Sequence, residues 1–193
     1  MHTPTHLLIG AAAFGRPGSL ARNWAAIAGA LMPDLPMFVM FGWARFGAGL
    51  SDRDIWPAPA GLYWQEPWQT LVNAGHSIPL LVAILLVGRL MKTDWVEVYA
   101  LSGLLHVAFD LPVHREDAHA HFWPFSDWKF VSPVSYWDRS HSGGIMGAIE
   151  IMIVVACMVV LWRRFESWRV RVALGLAFAS LFAAPLYFSI LHH

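Results

Sequence analysis

The sequence predicts an all-α fold: a polytopic transmembrane helical bundle of four or five spans with an N-terminal half-helix hairpin. Hydrophobic residues make up 57% of the 193 residues and charged residues only 13%, against roughly 25% charged in soluble domains. Apolar windows of the length that a bilayer requires, about 20 residues, also recur along the chain. Because so few charges cannot cover a water-exposed surface, we expect the sides of the protein to face lipid.

The individual spans follow from these apolar windows. Four windows, and a fifth that is interrupted by Pro185, are predicted to cross, at about 22–42, 74–91, 95–113, 144–162 and 170–190. The apolar segment 4–14 is too short to cross. The turn signal GRPG at 15–18 follows it, so we expect a half-helix that folds back as a hairpin. Residues 1–193 then form one integral membrane domain, with outer loops at about 43–73 and 114–143.

The positions of the basic residues predict the orientation. Under one alternating topology, eight of the thirteen basic residues fall on the same face: Arg16, Arg22, Arg89, Lys92, Arg163, Arg164, Arg169 and Arg171. Lys and Arg favour the cytoplasmic side of a membrane. The two long loops, which are rich in Trp and Phe, are therefore expected on the extracytoplasmic side. The formal net charge of zero gives no reason to expect a nucleic-acid partner.

Ionisable residues inside predicted spans are the main functional signal, because each costs about 2.5–3.5 kcal/mol on insertion scales. His106, Asp110 and His114 are each four residues apart, so a helix places them in one stripe, about 6 Å between neighbours. Histidine and carboxylate at this spacing can share a metal ion. Pro112 leaves the geometry at His114 open.

The N-terminal hairpin predicts a second convergence. His6 and Asp34 lie at similar distances from the turn, so both are expected about 15 Å from it at matched depth on neighbouring helices. There an imidazole and a carboxylate can pair or bind one ion together. Asp34 stands between Pro33 and Pro36, which predicts a kink that frees backbone carbonyls.

Further polar residues are expected at the same outer end of the bundle. His76 opens the second span, whereas the weaker candidates are His119, His121, His141 and Glu150. Each alone is equally compatible with a structural or solvated role, but their joint position favours a metal site. Histidine nitrogen with carboxylate oxygen favours Zn²⁺, with Mn²⁺ or Fe²⁺ as alternatives. Three ligands with an open position would make the site catalytic, and a leftover carboxylate could act as general base.

The same residues resemble a known group, the YdjM-like bacterial inner-membrane proteins, which are predicted metal-dependent hydrolases. The matching pieces appear in the family's order over the first two-thirds of the chain: TPTHLLIG at 3–10, GALMPD at 29–34, GHS at 75–77, LHVAFD at 105–110 and WPFS at 123–126. The resemblance implies a multi-pass protein of the bacterial cytoplasmic membrane with metal ligands His6, Asp34, His76, His106 and Asp110. The family commonly carries Pro-Asp-x-Asp where this chain has PDLP at 33–36, so a second carboxylate is missing, which argues against a two-metal site.

The leading hypothesis is a membrane-embedded metal-dependent hydrolase that acts on a lipid or lipid-linked ester or phosphoester at the extracytoplasmic face. Asp34 is expected to position or activate water, and His114 to be a further ligand or a proton shuttle. Two alternatives stay open: a non-enzymatic metal-binding or transport-related membrane protein, and a membrane assembly factor whose buried polar residues bond helices together.

Overall fold

The computed structural model describes residues 1–182, and its regular elements in this range are all helical, as the composition predicts. Short 3₁₀ turns occur at Leu62–Trp64 and Arg139–His141, and a π-helical turn, Trp43–Gly47, extends α3. The α-helices of residues 1–182 are α1 Thr3–Phe14, α2 Leu20–Leu31, α3 Leu35–Gly42, α4 Asp52–Ile55, α5 Trp68–Gly75, α6 Ile78–Leu90, α7 Asp94–Asp110, α8 Gly143–Arg164 and α9 Trp168–Ser180.

Helix length limits how many of these elements can cross a membrane. Within residues 1–182, α8, with 22 residues, is the one helix long and apolar enough to cross alone. Two bent pairs qualify if each is counted as one span: α2 with α3 and its π-helical extension, bent by 69°, and α5 with α6, bent by 50°. This part of the chain therefore contains one to three candidate spans, and four or five spans stay a prediction. The end of the fifth predicted span, from residue 183 on, lies outside the described residues.

Helix α7 is the central element of the bundle and packs against α1, α2 and α6. Asp94 and Glu97 stand in its first turn, where negative charge interacts favourably with the helix dipole. The helix ends at Asp110, two residues before Pro112, which cannot continue it. The contact with α2 requires Gly29, because a Cβ there would lie 2.1 Å from the carbonyl oxygen of Tyr99. This close approach places the end of α2, which leads to Asp34, beside the part of α7 that carries His106 and Asp110.

The predicted N-terminal hairpin is present, formed by α1 and α2, which pack against each other. Pro4 stands in the first turn of α1, where its missing N–H costs nothing. Gly18 in the connecting turn has φ +79°, a left-handed conformation that glycine adopts without strain. Helix α1 also packs against α7 and α8, so its N-terminal half lies inside the bundle rather than on its surface.

The kink predicted at Pro33 is also present, and it has a consequence for hydrogen bonding. The Asp34 N–H donates to the Leu31 carbonyl at 3.1 Å, rather than to the Ala30 carbonyl four residues back as in a continuous α-helix. The freed Ala30 carbonyl accepts a hydrogen bond from His106 Nδ1 at 2.7 Å. The second predicted span is broken too: it starts at Trp68 rather than near residue 74, and His76 lies at the break between α5 and α6.

The contacts between helix ends define two opposite ends of the bundle. At what we call the basic end, Arg22 pairs with Asp94 at the start of α7, and Arg164 at the end of α8 donates to the Gly15 carbonyl in the hairpin turn. The other end, the polar end, contains the start of α1, the end of α2, the break before α6 and the end of α7. All the buried ionisable groups described next lie at the polar end.

Candidate metal centre

A dense group of ionisable side chains is buried at the polar end. Its members are less than 7% exposed: His6, His76, His106, Asp110, His114, His119 and His121. They come from α1, the α5–α6 break, α7 and the loop after α7, so residues distant in the chain meet here. Burying charge is costly unless it is paired or bound to a metal. Asp110, the one carboxylate among these seven residues, therefore needs positive charge close to it.

Asp110 lies at the centre of the cluster, and its two oxygens face different partners. Oδ1 lies 2.8 Å from His6 Nε2 and 3.3 Å from His114 Nε2. Oδ2 lies 2.9 Å from His106 Nε2 and 3.7 Å from His76 Nε2. Four imidazoles thus surround one carboxylate.

The backbone fixes the orientation of two of these imidazoles. The Nδ1 atoms of His106 and His76 lie 2.7 and 2.9 Å from the carbonyl oxygens of Ala30 and Val72, so both Nδ1 atoms are donors. A neutral imidazole with its proton on Nδ1 presents a lone pair at Nε2. Both Nε2 atoms are buried and have no hydrogen-bond partner, yet they face Asp110 Oδ2. Lone pairs that converge in this way repel each other unless a proton or a metal ion lies between them.

The spacing of these atoms suits a metal ion. Two ligand atoms bound to one tetrahedral Zn²⁺ are about 3.4 Å apart, and the two Nε2 to Oδ2 distances are 2.9 and 3.7 Å. Asp34 adds a second carboxylate, with Oδ1 3.7 Å from His106 Nε2 and Oδ2 accepting a hydrogen bond from Thr3 at 2.5 Å. Each residue of what we call the first group, Asp34, His76, His106 and Asp110, offers one ligand atom within 4.8 Å of the others.

No family model, curated protein or solved structure matches this chain. A function for this chain is therefore inferred from the chemistry of the buried cluster. Membership of the YdjM-like family stays a prediction based on short motifs in order.

His114 joins the cluster although it lies outside the helix that was expected to carry it. Helix α7 ends at Asp110, but the His114 N–H donates to the Asp110 carbonyl at 3.1 Å. This turn keeps the His114 ring beside Asp110. A second group, Asp110, His114 and His119, also offers ligand atoms within 4.8 Å of one another. The Met1 amino group contacts Asp110 Oδ1 as well and lies 3.2 Å from His114 Nε2.

Three hydrogen bonds attach the loop after α7 to the break between α5 and α6, and so bring its histidines into the cluster. The Ile78 N–H donates to the His121 carbonyl, the Ala120 N–H to the Asn73 side chain, and the Ser77 hydroxyl to the Trp123 carbonyl. As a result, the His119 ring stacks on the His76 ring with centroids 3.8 Å apart.

Burial determines the protonation of these loop histidines. It lowers the pKa of His119 well below its usual range, and nearby His76 and His114 lower it further. Burial likewise lowers the pKa of His121 to about 4, with His76 contributing. At His114, burial opposes the charged form, but the Asp110 carboxylate outweighs it and raises the pKa to about 9. His119 and His121 are therefore neutral near pH 7 and can offer lone pairs to a metal ion.

The structure gives His6 a different partner from the one expected. The sequence places it opposite Asp34, but Thr3, one turn earlier on α1, makes that contact. His6 instead binds Asp110 Oδ1 and stacks over His106 with ring centroids 3.7 Å apart. It therefore holds the Asp110 carboxylate in place.

Two of the weaker candidates lie apart from the cluster. Glu150 accepts hydrogen bonds from the His2 backbone and the Thr5 hydroxyl at the start of α1, so it anchors that helix to α8. His141 lies instead with Glu116 and Asp138 in a more exposed group, which we call the surface group.

Sequence reasoning missed Asp117, whose carboxylate Oδ1 lies 3.0 Å from His114 Nδ1. A carboxylate behind a histidine is the arrangement that orients metal-ligating imidazoles. The spacing of three residues between His114 and Asp117 was a usable signal. The contact of Thr3 with Asp34 had no comparable signal, because it depends on how α1 packs against the kink.

Proposed function

We propose that the protein is a metal-dependent hydrolase embedded in the membrane, and that it cleaves a lipid or lipid-linked ester or phosphoester. The observation that carries the proposal is the convergence of the His76 and His106 Nε2 atoms on Asp110 Oδ2. Their Nδ1 atoms donate hydrogen bonds to backbone carbonyls. These bonds fix the orientation of the rings, so the Nε2 atoms are free to act as metal ligands. Zn²⁺ matches this donor set best, with Mn²⁺ and Fe²⁺ as alternatives.

The proposed roles follow from the contacts of each residue. His76, His106 and Asp110 hold the ion, and His6 keeps Asp110 oriented. Asp34, with 15% of its side chain exposed, is more accessible than Asp110 and accepts the proton of the attacking water. A divalent ion supplies Lewis-acid chemistry at such a site.

The bond changes are those of hydrolysis. The water oxygen forms a new bond to the carbonyl carbon or the phosphorus, and the bond from that atom to the alcohol oxygen breaks. One water proton goes to Asp34 and from there to solvent, and the other goes to the oxygen of the departing alcohol.

The distribution of charge supports a site on the extracytoplasmic side of a cytoplasmic membrane. Arg22 and Arg164 meet the hairpin turn at the basic end, and Lys and Arg favour the cytoplasmic face. The metal cluster lies at the opposite end of α7, about 24 Å away along 17 residues. A multi-pass arrangement with four or five spans is part of the proposal.

Exposed aromatic side chains around the polar end support a lipid substrate. In the loop that covers the cluster, Phe122, Phe125, Trp128 and Trp137 are all more than 40% exposed. Aromatic residues of this kind settle at the headgroup level of a bilayer. A substrate whose scissile bond lies at that level could reach Asp34, on the edge of the cluster, without leaving the membrane.

One observation favours a second function, a non-enzymatic metal-binding or transport-related protein. His76, His106 and Asp110 are at most 2% exposed, as in closed structural metal sites. Such a protein would bind the ion and hydrolyse nothing. A third reading, an assembly factor whose polar residues only bond helices together, would bind no ion.

Metal analysis and hydrolysis measured on one preparation separate these readings. The full chain, purified in mild detergent, would be analysed for metal and incubated with short-chain lipid carboxylic esters and phosphoesters. We expect bound divalent metal, and turnover that a chelator abolishes and added Zn²⁺ or Mn²⁺ restores. His106→Ala should lose both metal and turnover, because it removes one imidazole from the first group.

Asp94→Asn is the matched control, since it removes an ionisable side chain at the opposite end of α7, outside every group of candidate ligands, and should leave metal content and turnover unchanged. Metal without turnover of any ester would support the binding protein instead. Absence of metal, or a His106→Ala variant that keeps both properties, would contradict the ligand assignment.

A further inference from the structure

The two sides of the Asp110 carboxylate offer separate sets of ligands. Oδ2 faces His76 and His106 of the first group, whereas Oδ1 faces His114 of the second group. A carboxylate whose oxygens face different donor sets is the usual bridge between two metal ions. Asp110 also belongs to both groups of ligand atoms that lie within 4.8 Å of one another.

The second group has the features of a built site rather than a chance cluster. Asp110, His114 and His119 are all buried, with exposures of 1%, 6% and 5%. His114 Nε2 lies 3.3 Å from Asp110 Oδ1, close to the separation of about 3.4 Å between two ligands of one ion. The opposite nitrogen of His114 faces Asp117 at 3.0 Å, so the ring is oriented from behind as in known metal sites.

A positive group already contacts this side of Asp110. The Met1 amino group binds Oδ1 and lies 3.2 Å from His114 Nε2. Two cations could therefore balance the charge at Oδ1: the Met1 amino group, as in this structure, or a second metal ion. These two arrangements differ in the number of ions bound.

We propose that Asp110 bridges two divalent metal ions, one held with His76 and His106 and the other with His114 and His119, and that the substrate is an anionic phosphoester. The proposal deepens the proposed function and rests on it for the hydrolytic reaction.

The charge balance of the site favours a phosphoester over a neutral ester. Two divalent ions bring four positive charges, and the two groups contain two carboxylates, Asp34 and Asp110. Asp117 beside His114 removes one further charge, which leaves a positive site in a buried region. A phosphate anion neutralises it, whereas a carboxylic ester would leave the charge uncompensated.

Two ions also suit the chemistry of phosphorus. Paired metal ions about 3.5–4 Å apart stabilise the attacking and leaving oxygens of an in-line displacement. In the reaction, the water oxygen forms a new P–O bond and the P–O bond to the alcohol breaks. One water proton goes to the departing alkoxide, and the other goes to Asp34 and then to solvent.

The test is a count of bound ions and of their mutual distance. The full chain would be stripped of metal, loaded with Mn²⁺, separated from free ion by gel filtration, and measured by elemental analysis and low-temperature electron paramagnetic resonance. We expect two ions per chain and the multiline spectrum of an exchange-coupled pair. His114→Gln and His119→Gln, which keep a polar side chain of similar size, should each bind one ion and give the spectrum of isolated Mn²⁺.

Asp94→Asn, at the other end of α7, is the control and should keep two coupled ions, because Asp94 pairs with Arg22 and lies outside every group of candidate ligands. One ion per wild-type chain would overturn the proposal and would fit the Met1 amino group as the cation at Oδ1. Two uncoupled ions would overturn the bridging role of Asp110.

Different outcomes contradict the phosphoester substrate, the dinuclear site and the proposed function. Two coupled ions with cleavage of lipid carboxylic esters only would contradict the phosphoester assignment. Two coupled ions without hydrolysis of either substrate would contradict the proposed function and leave the dinuclear site intact. A single ion with chelator-sensitive hydrolysis would contradict the dinuclear site and leave the proposed function intact.

Discussion

The two ends of α7 carry the same residue type in opposite surroundings. Asp94 at the basic end has a side chain that is 64% exposed and pairs with Arg22, whereas the Asp110 side chain at the polar end is 1% exposed. Water screens the first pair, so its free-energy contribution is small. The second carboxylate has little access to water and must be balanced by its neighbours. Burial, rather than the presence of charge, therefore marks the polar end as the place to look for a function.

Replacing these two aspartates gives the largest expected difference between the ends. Asp110→Asn removes the charge on which the imidazoles converge, so we expect metal affinity to fall by about 100-fold or more. Asp94→Asn, the matched control at the other end of the same helix, should leave metal affinity unchanged. Its effect on the free energy of unfolding should stay below about 1 kcal/mol.

Metal titration of both variants in detergent, followed by elemental analysis, measures this difference. Equal metal affinity in the two variants would remove the distinction between the ends.

The packing of α2 against α7 runs between the two ends, and a substitution at Gly29 tests whether the candidate site depends on it. A methyl group at Gly29 would lie 2.1 Å from the Tyr99 carbonyl oxygen, whereas Gly147 on α8 has no neighbour within 4 Å. Gly29→Ala should therefore push α2 away from α7 and destabilise the fold by about 1–3 kcal/mol. Because α2 supplies the Ala30 carbonyl that orients His106, metal affinity should fall by about 10-fold as well.

Gly147→Ala is the control and should change stability by less than about 1 kcal/mol. Thermal unfolding followed by tryptophan fluorescence, together with metal titration, gives both quantities. A Gly29→Ala variant that loses stability but keeps full metal affinity would show that the α2–α7 distance does not determine the site.

Glu150 is a buried carboxylate at the polar end that lies outside the ligand groups. It anchors the start of α1 through His2 and Thr5, so Glu150→Gln should destabilise the protein by about 1–3 kcal/mol through weakened charge-assisted hydrogen bonds. Metal stoichiometry should not change, because Glu150 belongs to neither ligand group. Calorimetry and metal analysis of the same sample test this, and loss of an ion would place Glu150 among the ligands.

Much of the fold could be predicted because it depends on local signals. Apolar windows and the GRPG turn at 15–18 indicate the helices and the N-terminal hairpin, and Pro33 indicates the kink. The spacing of His106 and Asp110 places them on one face of one helix. The number of membrane spans could not be predicted as well. In the described residues most helices are short or are separated by breaks, so they provide one to three candidate spans.

The sequence predicted which residue types form the candidate site and how deep they lie. It did not predict which of these residues contact each other. His6 was expected beside Asp34 and instead contacts Asp110, while Glu150 and His141 lie outside the cluster. Matched depth on two helices does not specify how each helix is rotated about its axis. Rotation is set by close contacts such as that at Gly29.

Apolar helices, with histidines and aspartates gathered toward one end, could be inferred from residue order alone. Which nitrogen faces which carboxylate oxygen, and the approach of His119 to the cluster from a loop, depend on how the helices pack. Periodicity fixes only the height and face of a residue along its own helix. Helices that are apolar on most sides carry no signal for their partners, so packing and the hydrogen bonds of kinks make that choice.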